Sequence, residues 1–235
     1  MHAVILAGGQ GTRLRPYTAV LPKPLVPIAD RPILELLIRQ LGRNGFDHID
    51  LSVGHLGGLI KTYLDHIELP EGMELHYWWE DKPLGTAGAL HQIDCLGEEP
   101  FLVMNGDVLT TMDFAQLMRF HRAQDAHLTI ATHRKGVDIP LGVIESEDGF
   151  VISYTEKPTM RFDVSMGIYV YDHEVLEVIP HGHFDFPDVV QALLDNGRKI
   201  AIYTGPGVWF DIGTIGEHER AMAEIEAHPE LFDDD

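Results

Sequence analysis

The sequence is poor in cysteine, basic residues and long apolar runs, and each shortage excludes a class of protein. The one cysteine, Cys95, rules out an internal disulfide and a cysteine-based metal cluster, and we expect it to be a small core residue. No apolar run approaches a membrane span and no basic-then-apolar leader begins the chain, so we expect a soluble, cytoplasmic protein. No stretch rich in Pro, Gly or Ser divides the sequence, so we expect residues 1–235 to form a single domain.

Basic residues are also unevenly placed. The chain carries 17 Lys and Arg against 37 Asp and Glu, a formal net charge of −20. This balance argues against nucleic acid as a partner, because phosphate backbones are held by Lys and Arg. Residues 1–31 nevertheless contain four cations and one carboxylate, a net +3 that leaves −23 elsewhere. We therefore expect a polyanionic ligand near the N-terminus, and a solvated acidic tail at Glu230 and Asp233 to Asp235.

The N-terminal cations lie in a glycine-rich loop that follows an apolar strand. Residues 3–7 run into the sequence GGQGTRLRP at 8–16, and Lys23 follows. Glycines let backbone N–H groups converge on an anion, and cations add charge where phosphate oxygens crowd. The spacing fits neither a Walker A loop nor the dinucleotide fingerprint. A plain glycine turn is the alternative, but it would leave Arg13, Arg15 and Lys23 unexplained.

Hydrophobic periodicity predicts an α/β fold, Rossmann-like, with a mostly parallel mixed sheet and helices on both faces. Strand-like runs recur at residues 3–7, 48–53, 74–79, 101–105 and 127–132, with helical patterns between them. Later strand-like runs, at residues 142–145, 151–156, 167–171 and 200–203, have fewer helices between them. These later runs indicate an insertion that builds a second ligand pocket.

Residues 1–28 resemble the signature of the sugar-1-phosphate nucleotidylyltransferases, a strand followed by G-G-x-G-T-R-L-x-P and K-P-L-x-P. The resemblance implies that the glycine loop wraps a nucleoside triphosphate, that Arg13 lies against the departing pyrophosphate, and that Lys23 reaches phosphate oxygens at the reaction centre. The nucleotide-binding residues implied here are Leu6, Ala7, Gly8, Gly9, Gly11, Thr12, Arg13 and Lys23. The chain is too short for the β-helix domain that some relatives append, so none is expected.

Two aspartates that follow strands are the expected metal ligands. Asp107 comes directly after a strand that ends at Asn105, and ligands of open α/β sheets bind beyond the carboxyl ends of strands. The sequence WFDIGT at 209–214 matches the family's W-x-D-I-G-T, which implies that Asp211 is the second ligand. Alone, each would be an ordinary turn, with Thr214 as a helix N-cap. We expect Asp107 and Asp211 to bind Mg²⁺, which takes one or two carboxylates plus phosphate oxygens, and Asn105 to contact the nucleotide.

One further loop concerns the choice of base. The sequence EDKPLGTAG at 80–88 resembles the short guanylyltransferases that act on mannose or heptose 1-phosphate. The resemblance implies that Glu80, Gly85 and Thr86 read the base. A carboxylate at Glu80 can accept hydrogen bonds from N1–H and the 2-amino group of guanine. The alternative is a solvent-facing glutamate at a strand end.

The residues expected to bind the sugar 1-phosphate lie in or beside the expected insertion. The sequence EKP at 156–158 implies that Glu156 binds sugar hydroxyls and that Lys157 binds the sugar phosphate, while Gly142 lets the sugar approach the backbone. Relatives commonly have Asn where this chain has Ser165, and the shorter side chain removes an amide donor. The identity and stereochemistry of the sugar therefore stay open.

Together these segments predict Mg²⁺-dependent transfer of a nucleotidyl group from a nucleoside triphosphate to a sugar 1-phosphate, with GTP and a mannose- or heptose-type acceptor favoured. The catalytic residues expected are Arg13, Lys23, Asp107, Lys157 and Asp211. UTP, dTTP or CTP as donor, and a non-catalytic sensing subunit, remain alternatives. Assembly of several copies of the chain is left open, and we expect the histidines at 181 and 183 to lie in a solvated loop rather than to bind a metal.

Overall fold

The computed structural model describes residues 1–228, and its central feature is a seven-stranded mixed sheet. The strands are β1 (His2–Ala7), β2 (Pro27–Ile28), β3 (Arg31–Pro32), β4 (His48–Val53), β5 (Glu74–Trp79), β6 (Phe101–Asn105), β7 (Val108–Thr110), β8 (Leu128–Asp138), β9 (Val143–Glu147), β10 (Phe150–Thr155), β11 (Thr159–Tyr171), β12 (Ile200–Tyr203) and β13 (Trp209–Asp211). The α-helices are α1 (Ile33–Arg43), α2 (Gly57–Leu64), α3 (Gly85–Gly88), α4 (Phe114–Ala123), α5 (Phe186–Asp195) and α6 (Ile215–Ala227). The acidic tail expected at the C-terminus lies outside the described residues.

The strand order in the main sheet is β12-β8-β11-β6-β1-β4-β5. Strand β1 pairs in parallel with β4 and β6, β4 with β5, and β12 with β8. Only β11 runs antiparallel to its neighbours in this sheet, β6 and β8. The predicted α/β class with a mostly parallel mixed sheet is confirmed, and no strand of residues 1–228 winds into a β-helix.

Side chains of β1 show how both faces of the sheet are covered. Ala3, Ile5 and Ala7 lie in one buried cluster with side chains of α1, α2, α4 and α6. Val4 points the other way, into a cluster with side chains of α3 and α5, because successive residues of a strand face opposite sides. The prediction of helices on both faces is thereby confirmed. None of the helices described is long and apolar enough to cross a membrane.

The strand predicted at 127–132 is much longer than expected. It continues as β8 to Asp138 and pairs along its outer half with β11, which begins at Thr159. Together with the hairpin β9–β10, these outer halves form an extension that we call the arm, residues 133–165. Its strands were missed in part because their side chains are largely exposed, so the alternation that marks a half-buried strand is absent. Phe150, for example, is 76% exposed.

Cys95 is exposed, so the prediction that it is a small core residue is wrong. It lies in the turn that follows the 3₁₀ helix Ala89–Gln92. Its neighbours Ile93 and Leu96 fill the core instead. Three apolar-type residues within four positions of a turn cannot all face inward, and composition alone does not say which one faces out.

We expect the core and the arm to respond differently to the same substitution. Phe101→Ala should lower the free energy of unfolding by about 3–5 kcal/mol, because the ring is fully buried. Phe150→Ala should change it by less than about 0.5 kcal/mol, because that ring is exposed. Urea unfolding followed by circular dichroism measures both. Equal losses would mean that the exposed ring of Phe150 is covered in solution.

Candidate active site

A cavity of about 280 Å³ lies beyond the carboxyl ends of β1 and β6. It is lined by four groups of residues that are distant in the sequence: the glycine loop with Lys23, the loop that begins at Glu80, the turn at Asp107, and the segment that contains His183. The full lining is Leu6, Ala7, Gly8, Gly9, Lys23, Pro24, Glu80, Pro83, Gly85, Thr86, Asn105, Gly106, Asp107 and His183. The structure therefore brings together the predicted nucleotide-binding residues except Gly11, Thr12 and Arg13.

The glycine loop is packed so closely that two of its positions require glycine. A side chain at Gly8 would place its first carbon 2.3 Å from Glu80 Oε1. Gly11 has φ of +59°, and a first side-chain carbon there would lie 2.9 Å from Cβ of Lys23. At Gly9 that carbon would meet nothing within 4 Å, so the backbone there faces open space. Gly11 thus joins the loop to Lys23, while Gly9 leaves room for an anion.

Asp107 and Lys23 form the centre of the cavity. Lys23 Nζ donates to Asp107 Oδ2, and the two side chains are 11% and 20% exposed. Asp107 Oδ1 is buried and has no hydrogen-bond donor among the described residues. A buried carboxylate oxygen without a partner is costly unless something compensates it, and a hard cation such as Mg²⁺ takes carboxylate oxygen ligands. The donor set at Asp107 therefore fits the predicted metal.

The second predicted ligand, Asp211, lies beside Asp107. Strand β13 pairs with β7, which follows Asp107, and Ile212 N donates to the backbone oxygen of Asp107 at 3.0 Å. Burial raises the pKa of Asp211, and the negative charge of Asp107 raises it further, while Lys23 acts in the opposite direction. Two carboxylates that lose solvent side by side repel each other, and a divalent cation between them would relieve that repulsion.

Arg13 is exposed and does not line the cavity, yet it lies close to Asp211. A first side-chain carbon at Gly213 would be 3.4 Å from each of three atoms: Arg13 Nη2, Asp211 Oδ2 and Glu217 Oε2. Glu217 is a residue that the sequence reasoning missed. The sequence feature that could have pointed to Glu217 is the T-x-x-E pattern at the start of α6. There Thr214 Oγ1 accepts from Glu217 N, as expected for the N-cap.

Glu80 lines the cavity with both carboxylate oxygens already engaged. Ser52 Oγ donates to Oε1 at 2.7 Å, and Leu84 N donates to Oε2 at 3.0 Å. The carboxylate is therefore held in place and supports the turn of its own loop, rather than facing solvent as the alternative reading had it. Each oxygen keeps a second lone pair with which it can accept from a ligand.

Gly85 and Thr86 are held by a residue from a distant segment. Asp185 Oδ1 accepts from Thr86 N at 3.0 Å, and Thr86 Oγ1 accepts from Phe186 N at 2.8 Å. Asp185 also begins α5 through a capping box with Asp188. Gly85 has φ of +78°, and a first side-chain carbon there would lie 2.5 Å from the backbone oxygen of Phe184. The sequence reasoning missed Asp185, and only its capping pattern could have drawn attention to it.

The segment before Asp185 also contributes to the cavity. His183 is exposed, as expected for a solvated loop, but it lines the cavity. His181 instead stacks against His91, with ring centroids 4.4 Å apart. The histidine pair is therefore divided between the cavity wall and a surface contact.

The predicted sugar-side residues lie on or beside the arm and do not line the cavity. Glu156 and Lys157 are exposed at the end of β10, and Tyr154 OH donates to Glu156 Oε2 at 2.7 Å. Gly142 faces that same hydroxyl, since a first side-chain carbon there would lie 2.2 Å from it. Ser165 is exposed at the base of the arm and donates to Tyr169 OH at 3.2 Å. Lys157 has φ of +45°, which is uncommon for a residue other than glycine.

A family model described as nucleotidyl transferase matches residues 2–228. A UTP–glucose-1-phosphate uridylyltransferase of Synechocystis sp. is 32% identical over 246 aligned residues, covering 96% of this chain and 63% of that protein. A mannose-1-phosphate guanylyltransferase of Mycobacterium tuberculosis is 34% identical over 235, covering 96% and 64%. The chain thus spans less than two thirds of the length of both relatives.

Solved structures with a similar fold cover nearly all of this chain. The crystal structure of HddC from Yersinia pseudotuberculosis has a TM-score of 0.74 at 26% identity and covers 95% of this chain and 99% of that one. The same protein complexed with GMP-PN has a TM-score of 0.72 at 25% identity, with the same coverage. The similarity therefore extends over nearly the whole chain.

Asp211→Asn should raise the melting temperature of the protein in EDTA by a few degrees. The pKa of Asp211 is higher in the folded chain than its ordinary value of 3.8, so ionisation at neutral pH weakens the folded state. The gain should fade as the pH falls through the raised pKa of folded Asp211 towards 3.8, because below 3.8 the wild-type carboxyl is protonated in both states. Asp65→Asn, at an exposed aspartate paired with Lys61, is the matched control and should have little effect. Unchanged or lower stability of Asp211→Asn at neutral pH would contradict the repulsion.

Proposed function

Because the chain belongs to the nucleotidyl transferase family, we propose that it transfers a nucleotidyl group from a nucleoside triphosphate to a sugar 1-phosphate. One observation carries the proposal. Asp107, at the carboxyl end of β6, has one oxygen paired with Lys23 and the other buried without a partner, directly beside a glycine loop suited to phosphates. This arrangement suits an enzyme that must hold phosphate groups and a cation at the same point.

In the proposed reaction, an oxygen of the sugar phosphate attacks the α-phosphorus of the triphosphate. The bond between that phosphorus and the oxygen bridging to the β-phosphate breaks, and pyrophosphate leaves. The nucleophile is already an anion, so no general base and no covalent enzyme intermediate are needed. The protein has to position two polyanions in line and offset their mutual repulsion.

The residues take the following roles in this proposal. The backbone of the glycine loop holds the triphosphate, Arg13 lies against the departing pyrophosphate, and Lys23 neutralises oxygens at the reacting phosphorus. Asp107 and Asp211 would hold Mg²⁺, which supplies positive charge to phosphate oxygens. Positive charge from Mg²⁺ on one side and from Arg13 and Lys23 on the other would stabilise the transition state. The effect is larger in a partly buried cavity than in water.

On the sugar side we assign Lys157 to the sugar phosphate and Glu156 to sugar hydroxyls. Two features support this assignment. Lys157 is exposed and no ion pair within residues 1–228 holds its ammonium group, so the charge is available to a ligand. Its positive φ is a backbone strain of the sort that accumulates at ligand-binding loops. Gly142 lies against Tyr154 beside Glu156, and Ser165 lies at the base of the arm opposite Thr132; we assign both to contacts with the sugar.

For the base we propose guanine, read in part by Glu80. The carboxylate is fixed by Ser52 and Leu84, so its two free lone pairs point in set directions. Guanine presents N1–H and a 2-amino group side by side, whereas uracil and thymine offer a single N–H on the corresponding edge. The HddC structure complexed with GMP-PN and the mannose-1-phosphate guanylyltransferase among the relatives agree with this choice, and a mannose- or heptose-type 1-phosphate is the acceptor we propose.

Asp107→Asn should lower pyrophosphate release by at least about 100-fold, because an amide keeps the shape of the side chain but loses its charge. A coupled phosphate assay with inorganic pyrophosphatase measures the rate, and circular dichroism checks that the variant is folded. Asp81→Asn, an exposed aspartate in the neighbouring loop, is the control and should retain normal turnover. Near-normal turnover of Asp107→Asn would overturn the assignment.

GTP should be the best donor when GTP, UTP, dTTP, CTP and ATP are each tested with mannose, glucose and heptose 1-phosphates. Glu80→Gln should reduce the preference for GTP over UTP by about tenfold, because one carboxylate acceptor is replaced by an amide donor that guanine cannot use. Glu71→Gln, at an exposed residue outside the cavity, should leave the preference unchanged. Faster turnover with UTP in the wild type would contradict the choice of base. Tight nucleotide binding without pyrophosphate release from any pair would indicate the sensing subunit instead.

A further inference from the structure

Four side chains with metal-binding atoms meet at the edge of the sheet opposite the cavity. They are His2 on β1, His48 and Asp50 on β4, and Cys95 in the turn after the 3₁₀ helix Ala89–Gln92. Strands β1 and β4 run parallel and pair His2 with His48, so this cluster lies at their amino ends. The cavity lies beyond their carboxyl ends, about 16 Å away along β1 at about 3.3 Å per residue. The cluster is therefore separate from the proposed active site.

The ligand atoms of this cluster are close together. His2 Nε2, His48 Nε2, Cys95 Sγ and one oxygen of Asp50 all lie within 4.8 Å of one another. Asp50 Oδ2 is 2.5 Å from His2 Nε2, 3.3 Å from Cys95 Sγ and 4.0 Å from His48 Nε2. The Cys95 Sγ to His48 Nε2 distance is 3.8 Å. Tetrahedral Zn²⁺, with bonds of about 2.0–2.3 Å, keeps its ligand atoms roughly 3.3–3.8 Å apart. The two Cys95 distances already fit this spacing, whereas the hydrogen-bonded pair His2 and Asp50 would have to separate when the metal binds.

We propose that His2, His48, Asp50 and Cys95 form a Zn²⁺ site. Two imidazoles, one carboxylate and one thiolate are all ligands that zinc accepts, and the thiolate disfavours the hard cations Mg²⁺ and Ca²⁺. Four ligands from the protein leave no open position for water or substrate, so the site is structural. It would tie the turn that carries Cys95 to the first residues of β1 and β4.

Neighbouring groups hold these ligands in place. Asp50 is fully buried, and Trp78 Nε1 donates to its other oxygen, Oδ1, at 2.7 Å. The second ring nitrogen of His48, Nδ1, lies 3.8 Å from Glu74 Oε2. Outer partners of this kind, a donor on the carboxylate and an acidic group behind an imidazole, orient ligands in zinc sites.

Two competing descriptions use the same residues. In one, the cluster is only a hydrogen-bonded network around the buried Asp50, with His2, Trp78 and Cys95 as donors. In the other, His48 binds a cation together with Glu74 and His76, which are exposed. The proposed site differs from both because it alone requires a thiolate bond to the metal.

A titration with Co²⁺, the spectroscopic substitute for zinc, tests the proposal on the full chain in the presence of excess Mg²⁺ to occupy other carboxylates. Because Cys95 is the only cysteine of the chain, a thiolate-to-cobalt charge-transfer band can arise only from this residue. We expect the band to saturate at one Co²⁺ per chain and to disappear when Zn²⁺ is added. Zn²⁺ should also raise the melting temperature of the protein.

Matched variants separate the three descriptions. Cys95→Ser should abolish the band and weaken zinc binding at least tenfold, and His48→Gln should weaken it similarly. His76→Gln, which changes a ring stacked 4.7 Å from His48 but outside the four ligands, should bind zinc normally. A missing band in the wild type, or zinc binding unaffected by Cys95→Ser, would overturn the proposal. Loss of binding in His76→Gln alone would assign the metal to the exposed trio. None of these results bears on the proposed nucleotidyl transfer, because the residues assigned to that reaction lie at the other edge of the sheet.

Discussion

The parallel pairing of β1 with β4 and β6 is the constraint on which the other features depend. In a parallel sheet all strands begin at one edge and end at the other. The loops that follow these strands therefore lie close together, even when they are far apart in the sequence. Here the glycine loop follows β1 and Asp107 follows β6. Gly54, which follows β4, lies against the backbone of Gly8. The hydrogen bond from Gly106 N to the backbone oxygen of Leu6 closes this edge at 2.9 Å.

The same pairing determines the opposite edge. Strands that end together also begin together, so His2 lies beside His48. Asp50 lies two residues further along β4. Burial of Asp50 between Trp78 and Cys95 is acceptable only because its oxygens are engaged. One register between two strands thus places the glycine loop at one end and a polar cluster at the other.

Electrostatics bears on how so acidic a chain would hold the phosphate ligand that we propose. The net charge is −20, and Arg13 and Lys23 only balance Asp107 and Asp211, so a divalent cation held by the two aspartates would make this region net positive. At distances of a few ångströms inside a protein, such local charges outweigh the screened field of distant surface carboxylates. The composition therefore argues against nucleic acid as a partner without arguing against a nucleotide.

Local sequence patterns were sufficient to predict the parts that are contiguous in the chain. The strands of the central sheet, the glycine loop and the turn at Asp107 each lie within one segment of about ten residues, and the resemblance in residues 1–28 joined them into one site. Asp185, Glu217 and the cluster around Asp50 were missed because each depends on contacts between distant segments. The length of β8 was underestimated because exposed strands do not alternate in polarity, and Cys95 was misplaced because a turn decides which side chain faces inward. The binding roles of the site residues, including Lys157 on the arm, stay predictions.

The position of Asp185 has a consequence for how the cavity keeps its shape. This one carboxylate starts α5 and also fixes Thr86, a hundred residues earlier in the chain. The buried side of α5, with Val189 and Leu193, packs against the sheet and sets where the helix begins. The loop that carries Gly85 and Thr86 is therefore tied to the start of α5 by this carboxylate and by backbone hydrogen bonds to Phe184. Under the proposed function, substrate choice would be partly a property of helix packing, because substitutions in the core of α5 would also move the loop to which we assign the base.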